Sequence, residues 1–283
     1  MITLEQEAYI IKKAYVPEHI VSLMAGISGG EPYKVEDYVF FARGDWLIFV
    51  GYPLEHDFRP KNFAAILEST VQNFRPLYTW FIAPAVPDSF LHDVRERESD
   101  EYYKLVIPHF EMNKNLIRVI ERAARDLTVE KTHFLSEEHV ALIREFLDRE
   151  EPAPRVGELF RRMPEYVLSS PTSLVLNARD LQKKLSAFYV IELAAEQFAA
   201  YVVGCYSRKN YAAHASDLLF FEMVKVAKEH RKSYIHLGLG VNDGIRRFKG
   251  KWGGIPFLKY ESCELSTKPR GPFSWIRALE SKL

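Results

Sequence analysis

"YIHLGLGVNDGIRRFKGKWGG", residues 234–254, reads as a strand, a glycine-rich turn and a short cationic helix in quick succession. By the two-residue alternation of a strand, Gly238 and Gly240 fall on the same side as Tyr234 and His236, so a backbone or a ligand can approach closely there. Further along, Arg246, Arg247, Lys249 and Lys251 place four cations among six residues, with Phe248 and Trp252 interleaved. On a helix the two aromatics sit four apart and would anchor the turn while the cations face outward. Fixed guanidinium and ammonium groups suit phosphate oxygens, although a charged run is also what an ordinary solvated face looks like. "GLGVNDG" is not a dinucleotide fingerprint. Its third glycine comes one residue late, and too little chain follows to build the second half of the sheet.

Working outward, "HASDLLFFEM" opens a helix predicted from Ser216 to about His230, whose Leu219, Met223, Val226 and Ala227 form one apolar stripe. Ser216 is the expected N-cap. The first N–H groups of such a helix have no internal partner and carry partial positive charge, so this end is a candidate anion site, with Arg208 and Lys209 just upstream. Before it lie "SLVLNA" as one strand and "LSAFYVIELAAEQFAAYVVGCYS" as two, turning near Ala195-Glu196. Ser136 opens a helix that Pro152 and Pro154 are expected to close. The first half repeats the order. A short helix after Pro17 is stopped by Gly26; "DYVFFARGDWLIFVGYPL" is a hairpin about Arg43-Gly44-Asp45; a helix capped by Asn62 and the strand "LYTWFIAP" follow. "GISGG" at 26–30 matches G-x-S-x-G, but a helix precedes Ser28 where a nucleophile elbow needs a strand. The doubled succession predicts an α/β (α+β) chain of two tandem domains, 1–126 and 127–283, with the amphipathic "NKNLIRVIERAARD" just before the boundary.

Composition narrows the function. Lys plus Arg number 38 and Asp plus Glu number 38, so no overall field draws the chain to nucleic acid or an anionic membrane. Two cysteines, Cys205 and Cys263, are too few for a disulfide framework and point to a reducing compartment. No secretory signal and no uncharged run of membrane-spanning length is evident, so the expected location is the cytoplasm. The nine histidines show no metal-ligand spacing, and no metal is expected.

With "ASDLLFFEMVKVAKE", "YIHLGLG" and "GIRRFKGKWGG" in this order, the second half resembles the Fem-type branch of the GNAT acyltransferases, tandem proteins that include peptidoglycan-bridge aminoacyltransferases. The likeness covers about 150 residues; in the first half it rests on element order. It implies two GNAT-like domains, each a mixed, largely antiparallel sheet flanked by helices. It also implies transfer of an acyl or aminoacyl group to a small-molecule or peptide amine, from acyl-CoA or aminoacyl-tRNA, with the donor on the second domain and the acceptor in the cleft between the two. Phe248, Lys249, Gly253 and Gly254 match that group's Phe-Lys to Gly-Gly segment, which makes Lys249 the residue expected at the donor phosphate or the reacting carbonyl. One departure is that "SRKNYAAHASD" has no glycine where many GNAT enzymes place a pyrophosphate loop, which weakens the case for coenzyme A.

Direct transfer needs a neutral amine, a proton acceptor and a donor for the developing oxyanion. His236 is one candidate base, and His214 and Asp217 at the helix entrance are rivals. Arg208, Lys209, Ser216, Gly238, Gly240, Arg246, Arg247 and Trp252 are the candidate donor-binding residues. The alternative is a catalytically inactive GNAT-like module that binds RNA through "RRFKGKW" or a protein partner, and Phe273 and Trp275 in "PFSWIRAL" are candidates for an oligomer contact.

Overall fold

The computed structural model of the chain describes residues 1–108 and 110–266. Phe273 and Trp275 lie outside the described residues. In chain order the elements are α1 (Leu4–Lys13), α2 (Val21–Ser28), β1 (Glu31–Val35), β2 (Tyr38–Arg43), β3 (Trp46–Val50), α3 (Pro60–Phe74), β4 (Tyr78–Ala83), β5 (Val94–Val106) and α4 (Lys114–Asp126). There follow β6 (Leu127–Thr132), α5 (Glu137–Glu150), α6 (Pro154–Ser169), β7 (Ser173–Asp180), β8 (Leu185–Glu192), β9 (Phe198–Tyr206), α7 (Ala215–Glu229), β10 (Tyr234–Leu239), α8 (Asp243–Lys251) and β11 (Ile255–Ser266).

The chain forms two compact units that are not consecutive halves. Among the described residues, one holds Glu31–Ser99 and 259–266; the other holds Ile2–Gly30 and Asp100–Leu258. The predicted boundary at 126–127 thus falls inside the second unit, between α4 and β6.

In the first unit β1, β2 and β3 form an antiparallel meander, α3 crosses over, β4 pairs parallel with β3, and Glu261–Ser266 of β11 pairs antiparallel with β4. Phe40, Phe49, Phe63 and Phe81 fill its core. The second unit repeats the plan: β6 to β9 are antiparallel neighbours, α7 crosses over, β10 pairs parallel with β9, and β5 pairs antiparallel with β10. A helix is the ordinary way to join two parallel neighbours, because a tight turn cannot reverse the direction twice. α7 packs Leu219, Met223, Val226 and Ala227 into the core, as their spacing predicts.

Several local signals act differently from their sequence reading. Gly26 lies inside α2, which ends instead at Gly29 with φ 72°. A Cβ at Gly26 would come 2.8 Å from the Tyr166 ring, so this glycine lets α2 approach α6. Pro60 occupies the first turn of α3, ahead of Asn62, and Pro154 opens α6 where it was expected only to close α5. Among the described residues no helix is long and apolar enough to cross a membrane.

Candidate functional site

Tyr234, Ile235 and His236 of β10 pair in parallel with Phe198, Ala199 and Ala200 of β9. The pairing stops there although β9 runs on to Tyr206 and β10 to Leu239. On its other side, β10 meets β5 with His236 opposite Lys104, then skips, so that Leu239 stands opposite Tyr102. This bulge breaks the alternation that would have put Gly238 and Gly240 on the face of His236.

Gly238 sits at the bulge with φ 70°, and a Cβ there would meet nothing within 4 Å. Gly238→Ala therefore adds backbone strain without a clash. It is expected to cost about 1–2 kcal/mol, read as a lower urea midpoint at unchanged slope. Gly240 has a different role. A Cβ there would come 2.7 Å from both Arg246 Nε and Asp100 Oδ1, so its missing side chain makes room for that ion pair. The other Asp100 oxygen accepts the Val241 N–H at 2.7 Å and fixes the turn into α8.

His236 is fully buried, with Tyr102, Phe198 and Phe257 around its ring at 4.8, 5.6 and 5.3 Å. Its Nδ1 accepts the Gly238 N–H at 3.2 Å, which leaves the proton of the neutral ring on Nε2. Burial, with the Lys249 ammonium adding to it, pushes the imidazole pKa down to about 3. The ring is neutral at physiological pH and better suited to donate from Nε2 than to take up a proton. That Nε2 is buried and has no hydrogen-bond partner among the described residues.

Lys249 turns inward from α8. It is 6% exposed, donates from Nζ to the Leu239 carbonyl and lies 5.2 Å from the centre of the Tyr103 ring. Burial pushes its pKa down to about 7, with Asp100 pulling the other way. The outward cationic face expected of α8 is thus only partial. Arg246 pairs with Asp100 and Asp243 at 3.5 Å, Lys251 Nζ lies 2.6 Å from Asp217 Oδ1, and Arg247 is exposed.

Asp217 is buried in the first turn of α7. Its Oδ1 accepts from Lys251 Nζ and, at 3.0 Å, from Trp252 Nε1, while Oδ2 lies 3.5 Å from His214 Nδ1. The carboxylate fastens the start of α7 to the end of α8. Trp252 is buried, 4.6 Å from the Phe220 ring, and serves the core rather than a ligand surface. His214, in the left-handed region at φ 64°, is the residue preceding the helix, and Ser216 lies within the first turn rather than capping it.

Arg208 and Lys209 are exposed in the loop before α7. That loop also holds a residue with no local sequence signal, Glu145 of α5. Its carboxylate accepts the Arg208 N–H at 2.6 Å and the Ser207 hydroxyl at 3.1 Å. Burial would raise its pKa, but these bonds, with the Lys209 N–H and ammonium, hold it below the ordinary value. Asp100 and Tyr102 of β5 were equally invisible: they meet Gly240 and His236 from a distant segment, and nothing in their own stretch of chain marks them.

No protein-family model matches the chain, and no curated protein matches its sequence. Solved structures do. The C-terminal domain of a protein assigned as a lysylphosphatidylglycerol synthetase, from Agrobacterium fabrum, superposes with a TM-score of 0.63 at 16% identity, over 98% of this chain and 95% of that one. FemX gives 0.59 at 10% identity over 92% and 96%, and a tandem GNAT protein from the clavulanic acid biosynthesis pathway gives 0.52 at 8% over 88% and 89%. Likeness at such identities establishes architecture: the chain has the GNAT-like fold shared by these proteins.

Proposed function

We propose that the protein transfers an aminoacyl group, carried as an activated ester, to an amine, with the reacting carbonyl held in the second unit where β9 and β10 part. The observation that carries this reading is the end of the parallel pairing at Ala200 and His236. Just beyond it lie the open space at Gly238, the inward ammonium of Lys249 and the buried N–H of His236. A carbonyl lying there would meet donors in a low-dielectric setting, where they stabilise a developing oxyanion far better than water does.

The choice of donor rests on Glu145. An acyl-CoA pyrophosphate would need free backbone N–H groups before α7, but a carboxylate already takes the Arg208 N–H and there is no glycine in the loop. Two anions do not share one set of amides. An aminoacyl-tRNA, whose phosphates can be met by exposed cations such as Arg208, Lys209 and Arg247, is free of that conflict. The Agrobacterium fabrum protein is named for a lysyl-bearing phospholipid, which also fits an aminoacyl donor. Binding of RNA alone through "RRFKGKW" draws less support, since Arg246, Lys249 and Lys251 are engaged within the fold.

The test is transfer of radiolabelled acyl groups to a panel of amines, from charged tRNAs and from acyl-CoA thioesters. Transfer from charged tRNA, weakened at least tenfold by replacing Arg208, Lys209 and Arg247 together with alanine, is the expected result. Absence of binding and transfer with both donor classes at millimolar concentration would end the enzymatic reading, and transfer from the thioester alone would end the choice of donor.

A further inference from the structure

Glu18 Oε2 and His236 Nε2 are both buried without a hydrogen-bond partner among the described residues, and one side chain links them. Glu18 lies in the Pro17–His19 turn between α1 and α2, and its Oε1 accepts the Tyr102 hydroxyl at 2.7 Å. The Tyr102 ring in turn meets the His236 ring edge-on, 4.8 Å between centres. The strand register puts Lys104 opposite His236, with Tyr102 two residues along on the same face. Phe198 and Phe257 close the cluster.

A buried polar group left unmatched costs about 1–3 kcal/mol, and a folded chain rarely keeps two in one cluster unless something else completes them. What completes them is defined by the pair. His236 Nε2 offers a hydrogen; Glu18 Oε2 offers a lone pair. Burial raises the Glu18 carboxyl, opposed by its bond from Tyr102 and one from its own backbone N–H, and so makes it a better proton acceptor than an exposed carboxylate. Lys104, whose ammonium stands 4.8 Å from the Phe257 ring centre, and Lys249, whose charge reaches His236, disfavour a further cation.

We propose that Glu18 and His236 form the nucleophile subsite of the transfer, taking an uncharged primary amine. The amine N–H donates to Glu18 Oε2, and His236 Nε2–H donates to the acyl oxygen. As the amine lone pair forms the C–N bond, the carbonyl electron pair moves onto oxygen. The amine proton passes to Glu18. When the oxyanion collapses, the C–O bond to the carrier breaks, and the departing hydroxyl recovers that proton. The reaction steps rest on the transferase reading; the binding of an amine does not.

Hydroxylamine, largely uncharged at pH 7.5, is a probe of amine binding independent of any donor. In the full chain labelled with ¹⁵N-histidine, and with His236 assigned through His236→Asn, it is expected to shift the Nε2–H resonance saturably. Glu18→Gln should raise the half-saturating concentration about tenfold, as expected from loss of one charge-assisted hydrogen bond. Tyr102→Phe, which keeps the carboxyl but removes its donor, should raise it by a smaller factor and decides the matter if the glutamine variant does not fold. No saturable shift in the wild type, or unchanged saturation in the folded variants, would overturn the subsite. Binding without transfer from any donor keeps the subsite and removes the transferase reading; transfer at the wild-type rate by folded Glu18→Gln does the reverse.

Discussion

Lys249→Met is expected to lower kcat/KM for transfer by about 10²–10³ while making the fold more stable at neutral pH, two effects with one cause. The activity loss is that of removing one preorganised charge from a developing oxyanion. The stability gain comes from no longer burying an ammonium that is 6% exposed and has one carbonyl and one aromatic face as partners. Its folded pKa of about 7 lies below the ordinary 10.5. Between those values the unfolded chain holds a proton that the folded chain has released, so wild-type stability rises with pH across this window. Below about pH 7 the lysine is charged in both states, and the full cost of burial is present. The variant lacks this dependence. Urea denaturation at pH 6.5 and pH 10 should show its advantage shrinking by about 4 kcal/mol at the higher pH, on a scale of about 1.4 kcal/mol per unit. A pH-independent difference would mean that Lys249 is not buried as an ammonium.

Asp217→Ala is the second large effect and acts on stability. The substitution strips the acceptor from Trp252 Nε1, which is buried, and from Lys251, whose side chain is 39% exposed and can turn to water. The indole N–H accounts for most of the loss, because a buried donor without a partner carries its full desolvation cost. The exposed half of the pair contributes little. About 2–4 kcal/mol is expected from urea titration. Asp217→Asn, which keeps an acceptor oxygen for the indole, should recover more than half. If Ala and Asn are equally destabilising, the ion pair rather than the indole bond carries the contribution. Because Asp217 sits where a catalytic base was sought, activity recovering along with stability in the Asn variant would assign it a structural role.

The helices and most strands were legible because burial imposes a period on the sequence. The stripe from Leu219 to Ala227 reports a helix face directly, and the two β-rich runs about Gly44 report a pair of strands. Positions governed by one neighbour were not. Whether Pro154 closes α5 or opens α6, and whether Gly26 stops a helix or lets Tyr166 approach it, depends on what lies across the contact rather than on the local pattern.

The candidate site divides the same way. The amino-acid sequence alone determined the GNAT-like order of elements, the strand carrying His236 and the helix carrying Lys249, because each is a local arrangement of residue types. Only the tertiary structure decided that β5 lies beside β10, that Lys249 turns inward, that Asp217 is a fastening between two helices, that Glu18 reaches His236 through Tyr102, and that Glu145 holds the loop before α7. Those facts arise from contacts between segments separated by tens to hundreds of residues, and the strength of burial and of a hydrogen bond depends on separation in space, which no period along the chain records.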